Sequence, residues 1–450
     1  MKKLSLVVAG LLIGNMTLSA NSDLEAKVAL LEKQLAELKS ELKSFKNDTT
    51  DILDNVETAV LTDKVKMGFT FRTRFDSVET KNSATATNNE TDRLYTTKLN
   101  LNLKSDVSDT LKFTGRLTAY KNWGNNYPNM YGSYDSKQGR IANDSGLFME
   151  RAYIDWTAYN GTVPVILTVG RQPSSDGPSW QFAENSVRKG TYDALIFDGA
   201  ADGIVATMPL AKATGLENSA FRLAYGKGVE NESYENATGL NNTLKDNSVY
   251  GVFAESSIPG LNDSLVQLSY ATAKDVIADS NATNGQSQNV GDLSWYGILL
   301  EASNIKNTGL DLFAHYAHSK GKANGKTVGI DMTGDGTADY NMGLIDGSGS
   351  AYWLGARYDV GFGKIGLEYN HGSKNWFSMT TGSLDPLNKL ATRGNVTDIY
   401  FIKNIDKNAH VKVGYMDIDY KYSGSGMHIG TPMTDTTDRK NGYLEFVVNF

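Results

Sequence analysis

The chain has 450 residues, with 44 Gly, 23 Tyr, 8 Pro, no Cys and a formal net charge of −7. Without cysteine there is no metal-thiolate or thiol-redox chemistry, and a net negative charge with no clustered basic face argues against a nucleic-acid partner. The length admits several soluble domains or one large β architecture.

Met1-Lys2-Lys3 followed by the mostly apolar run Leu4 to Ile13 reads as a secretory signal over residues 1–20, cleaved near Ser19 or Ala20, although Leu18 makes an imperfect site. No later segment approaches the roughly 18 apolar residues that a spanning helix needs. Residues 21–61 then carry a heptad seam, Leu24, Val28, Leu31, Leu35, Leu38, Leu42 and Phe45, weakening through Thr49, Ile52, Val56 and Ala59. This spacing predicts a coiled coil, with Lys27 facing Glu32 and Glu41 facing Lys46 in a parallel register. A single amphipathic helix is the alternative, and Leu at both a and d leaves dimer and trimer open. As one helix the segment reaches ~55 Å, far enough to approach a cell wall.

From residue 62 to 450 the period changes from seven to two. Val65, Met67, Phe69, Phe71 and Phe75 alternate with Lys66, Thr70, Arg72, Arg74 and Asp76; Leu99, Leu101 and Leu103 alternate with Lys98, Asn100 and Asn102. Strands that are apolar on one side and basic or amide-rich on the other suit a wall between lipid and water. The pattern predicts an all-β, transmembrane antiparallel barrel of about sixteen strands, with fourteen or eighteen still possible. The weakest assignments are 201–208, 247–255 and 395–403. Short connections such as 105–109, 159–162, 304–308, 361–363 and 404–408 alternate with long polar ones, as a single-chain barrel with tight periplasmic turns requires. Trp123, Trp156 and Trp295 near strand ends fit aromatic girdles.

In a later connection, Asp331, Thr333, Asp335, Thr337 and Asp339 offer oxygens at positions 1, 3, 5, 7 and 9 of an EF-type loop, with Gly336 at the turn position. Met342 replaces the bidentate Glu, so a structural Ca2+ there would be weakly held unless Asp346 substitutes. No cofactor is required. Catalytic signals are thin: His315 and His318 differ in strand parity, and no nucleophile turn or phosphate loop occurs. The last strand, Gly442 to Phe450, places Leu444, Phe446, Val448 and Phe450 on one face.

The terminal aromatic strand, the Gly170-Arg171-Gln172 run before a Pro-containing connection, and the heptads ahead of the barrel resemble a Gram-negative outer-membrane porin with a periplasmic coiled coil. More narrowly, the chain resembles a porin-like family of unknown function from epsilonproteobacteria. The resemblance implies a non-enzymatic, trimeric, passive diffusion channel for small hydrophilic solutes and ions, seated among outer-membrane lipid and lipopolysaccharide, with the coiled coil near peptidoglycan. It also implies that the third long connection, 172–200, folds inward as the constriction. There Asp176, Glu184 and Asp193 would face Arg72, Arg74, Lys98 and Arg116 across a narrow water gap, orienting dipolar solutes. A structural anchor, with loops closing the lumen, is the alternative.

Overall fold

Strands that alternate apolar and polar residues can pair edge to edge until no edge is left, and this chain does so. The computed structural model describes residues 30, 32–40, 43, 64–82, 90–123, 147–229, 244–261, 263–283, 285–380 and 385–450. Two compact units divide at Lys64 and Val65. In the first, residues 32–40 are helical, with Leu35 and Leu38 exposed. The signal segment and most of the heptad seam lie outside the described residues.

The second unit contains twenty strands among the described residues: β1 (Val65–Asn82), β2 (Glu90–Asp106), β3 (Leu111–Asn122), β4 (Leu147–Tyr159), β5 (Val165–Arg171), β6 (Phe197–Asp198), β7 (Asp202–Pro209), β8 (Ala220–Val229), β9 (Asn247–Ser256), β10 (Ser264–Ala278), β11 (Gln288–Ala302), β12 (Leu310–Ala323), β13 (Thr327–Ile330), β14 (Tyr340–Gly343), β15 (Gly347–Asp359), β16 (Lys364–Gly372), β17 (Met379–Thr380), β18 (Gly394–Asn404), β19 (Ala409–Tyr420) and β20 (Thr437–Asn449). All but β6, β13, β14 and β17 form one closed antiparallel barrel of sixteen strands in chain order. The three weakest strands of the sequence pattern are present as β7, β9 and β18.

Closure joins β1 to β20, from Thr70 opposite Asn449 to Asn82 opposite Thr437. Phe450 adds two backbone hydrogen bonds with Phe69, and their rings stack at 5.2 Å. A closed ladder leaves no unpaired backbone edge to meet lipid. Met67, Leu99, Ile298, Leu300, Leu354, Leu367, Ile399, Val413 and Leu444 face outward and are exposed, an apolar belt that lipid would cover. Trp123 and Trp156 are also exposed, and Trp123 packs with Phe75 and Tyr95 in an outer aromatic cluster.

Trp295 departs from the girdle expectation. It pairs with Ala271 and Ser319 on the inward parity, is 1 % exposed, and donates to the Phe377 carbonyl at 3.0 Å. It belongs to an apolar core inside the barrel, together with Phe182, Leu195, Phe313, Trp353, Trp376, Phe377, Leu390, Met416 and Ile418. Inward glycines make room for it. Gly355 lies opposite Phe313, and Gly366 opposite Tyr400, where a Cβ would strike the ring.

Candidate functional site

The connection between β5 and β7 supplies the residues that cross the lumen. Asp176, Ser179 and Asn185 take positive φ (56°, 72° and 46°), so the chain turns sharply instead of extending outward. Its first part is held by one wall: Arg151 donates to the carbonyls of Ser175 and Lys189 at 2.6 Å, and Arg116 meets Asp176 at 3.1 Å. Its middle is held by the opposite wall. Arg357 of β15 donates to the Phe182 carbonyl at 2.8 Å, Lys364 of β16 to Asn185 at 2.9 Å, and Lys412 of β19 to the Ala183 carbonyl at 3.0 Å. In the ring of sixteen, β4 and β15 stand opposite each other, so the segment straps the lumen from side to side.

The basic wall is where the alternation places it. Arg72, Arg74, Lys98 and Arg116 all face inward and are less than 10 % exposed. No water gap separates them from the loop carboxylates. Glu184 sits 3.9 Å from Arg72 and 3.4 Å from Lys412, while Asp176 touches Arg116 directly. Wall carboxylates complete the cluster: Arg72 is paired with Glu445, Arg74 lies 2.9 Å from Asp76, and Lys98 and Arg116 lie 3.6 Å and 3.3 Å from Glu150. Asp193 does not join this cluster. Its Oδ1 meets His315 Nδ1 at 2.7 Å on β12, because the strap has already crossed the lumen by residue 193.

Sequence reading missed several of these groups for identifiable reasons. Glu150 and Arg151 are adjacent yet both buried, because the β3–β4 register slips between Arg116 and Leu117, leaving Glu150 as an extra residue. Strict period two assigns one of them outward. Lys412 and Glu445 do lie on the wet parity of their strands, and that signal was legible. Residues 373–380 and 385–393 also fold inward: Trp376, Phe377, Leu387 and Leu390 are buried, and β17 pairs in parallel with β6 of the strap. Lys389 of this segment lies 2.7 Å from both Glu368 and Asp398.

Ser179, His315 and Asp193 have the spacing of a nucleophile relay, with His315 Nε2 2.8 Å from Ser179 Oγ. However, Glu301 competes for the single hydroxyl proton at 2.8 Å, and Ser179 is wholly buried and lines none of the cavities described here. The relay therefore acts as a clasp between strap and wall. Two cavities flank the strap. One, of 320 Å3, mixes charged and apolar walls and lies on the side of the tight turns, lined among others by Lys112, Asp155, Ile166, Thr168, Val205 and Arg222. The other, of 230 Å3, opens towards the long connections and is largely apolar, with Tyr192, Phe253 and Trp295 among its walls.

The proposed calcium residues form the turn of the β13–β14 hairpin. Asp331 accepts N–H groups of Gly334 and Gly336, each at 2.6 Å, Asp335 accepts from Thr337 at 2.7 Å, and Asp339 accepts from Met332 and Thr333 at 2.7 and 3.1 Å. The Thr333 hydroxyl donates to Asp331 at 3.3 Å. Backbone donors thus use the carboxylates a cation would need. Among the described residues no group of three or more acidic or imidazole side chains converges as a metal site. Slight desolvation at Asp331 is outweighed by the Gly336 and Gly334 donors, which hold its carboxyl below the usual range.

The fold is similar to that of OprB from Pseudomonas putida, at 13% identity and TM-score 0.51, over 88% of this chain and 97% of that one. It is similar also to OmpF of Salmonella typhi, in a complex with daunomycin, at 13% identity and TM-score 0.50, over 86% and 98%. An anion-selective porin from Comamonas acidovorans aligns at 13% identity and TM-score 0.49, over 86% and 100%. At such identity the likeness is one of fold, a porin-like barrel. No curated relative matches the chain. The family described as "Protein of unknown function (DUF3373)" matches residues 88–447, and the chain belongs to it.

Proposed function

We propose that the chain is an outer-membrane porin through which small hydrophilic solutes and ions diffuse passively, with the 172–200 strap as its constriction. The observation that carries this reading is the strap itself, a loop crossing a closed barrel at a belt of inward charges. Water follows the polar half of the lumen, past the 320 Å3 cavity along β3 to β8, because the β11 to β19 half is packed with apolar side chains. Around Asp176 and Glu184, the cations Arg72, Arg74, Lys98, Arg116, Arg151, Lys189 and Lys412 outnumber the carboxylates Asp76, Glu150, Asp176, Glu184 and Glu445 by two. The resulting field favours anions weakly. Residues 21–61 form the periplasmic coiled coil that holds a homotrimer together in this reading.

Packing of half the lumen by two inward segments favours a second reading, a structural anchor whose barrel is closed. Liposome swelling separates the two. Refolded protein in vesicles should admit a small neutral sugar faster than a disaccharide, and Asp176→Asn should alter the rate. Vesicles that fail to swell with any solute, despite heat-modifiable folded protein, leave only the anchor.

A further inference from the structure

The geometry points to a binding site for a small aromatic primary amine in the 230 Å3 cavity between the strap and β7 to β11. Its walls are the rings of Tyr192, Phe253 and Trp295 with Val205, and Tyr192 and Phe253 lie 4.7 Å apart at a 54° tilt. A cavity of about 150 Å3 with apolar walls is enough to hold benzene, so this one accommodates a single ring with a short side chain. Two polar side chains break the apolar surface. Asp193 is 1 % exposed and Ser269 is 7 % exposed. Asp193 Oδ1 is used by His315 and by the Leu195 N–H, but Asp193 Oδ2 and Ser269 Oγ have no hydrogen-bond partner.

Both residues line the cavity. Ser269 pairs across the sheet with Gly297, and a Cβ at Gly297 would press against Asp193 Oδ2. Glycine at that place leaves room for the Ile196 and Asp193 side chains beside the wall. A buried carboxylate oxygen and a hydroxyl oxygen are acceptors awaiting a donor, and leaving them unmade is costly. An ammonium supplies two N–H groups for them and a positive charge that aromatic faces attract. A neutral hydrocarbon would fill the space yet leave both acceptors bare, and an anion would be repelled by Asp193. The rim residues Arg171, Gln172 and Lys227 place the opening at the end of the barrel that carries the long connections. Entry is through the channel proposed above; the site itself is present whether or not current flows.

The test is a titration of the full refolded protein in detergent with 2-phenylethylamine, followed by tryptophan fluorescence, with toluene as the uncharged comparison. Saturable quenching by the amine is expected. It should weaken at least tenfold in Asp193→Asn, which keeps the acceptor for His315, and equally in Ala224→Leu, which fills the cavity without touching Asp193. Absence of saturation, or unchanged affinity in both variants, overturns the site. So does toluene binding as tightly as the amine. Binding by a protein that carries no current supports the site and sinks only the channel reading. Current without binding overturns the site and leaves the channel standing.

Discussion

Glu184 shows how the strap is held at the level of single side chains. Its carboxylate lies between Arg72 and Lys412, both less than a tenth exposed, and shares them with Glu445. Removing one partner of a buried pair leaves uncompensated charge and costs about 3–5 kcal/mol. Glu184→Gln should therefore lower the barrel's resistance to denaturant and move the reversal potential in asymmetric KCl towards anions. A variant with wild-type stability and selectivity would place Glu184 outside the machinery. Asp331 yields a separate expectation, at the hairpin turn between β13 and β14. Because its folded pKa is depressed by the Gly336 and Gly334 donors, its contribution is fully present above the unfolded value, roughly 4, and is lost as pH falls below that. Protection of the Gly334 and Gly336 amides, taken relative to their intrinsic exchange at each pH, should hold at pH 6 and fall only below about pH 4. Loss of that protection near neutrality would show that another group holds the turn.

At the scale of elements, the strap is the feature most open to direct tests. Asn185 of the strap donates to Asn404 of β18 at 2.7 Å, although 219 residues separate them. The chain has no cysteine of its own, so an Asn185→Cys/Asn404→Cys double variant should cross-link with a short bismaleimide and with no other partner. A strap projecting outward would give no cross-link. The second inward segment hangs on Trp376, which is fully buried and donates to the Leu390 carbonyl at 3.0 Å. Trp376→Ala should cost about 3–5 kcal/mol, measured by denaturant midpoint, whereas Met332→Ala at the exposed hairpin turn should be nearly silent.

Legibility in the sequence follows from the same elements. Sixteen strands could be read because each keeps period two along most of its length, and even the short β7 retains it. Arg72, Arg74, Lys98 and Arg116 were legible for that reason, as inward positions on regular strands. Glu150 with Arg151 was not, because a bulge breaks the parity rule where it matters. The meeting of Asp193 with His315 across 122 residues, and the burial of Trp376, Phe377 and Leu390, carry no local periodicity. Both depend on where a loop folds after the barrel closes; the resemblance implied an inward fold for 172–200, while 372–394 read only as a long polar connection.

At the scale of the barrel, the interior is asymmetric: buried charges crowd one half, and two inward segments pack the other with apolar side chains. On the proposed channel reading, that asymmetry would keep conductance below that of a sixteen-stranded barrel with an open lumen. The heptad seam belongs to the same scale. Deleting residues 24–60 should turn a trimer in light scattering into smaller species while leaving the per-barrel current nearly unchanged. The most direct test of the account is single-channel recording of the refolded protein in a planar bilayer under asymmetric KCl. The account requires small, discrete steps with a reversal potential slightly on the anion side. Silence from folded, heat-modifiable protein, or a firm preference for cations, would contradict it.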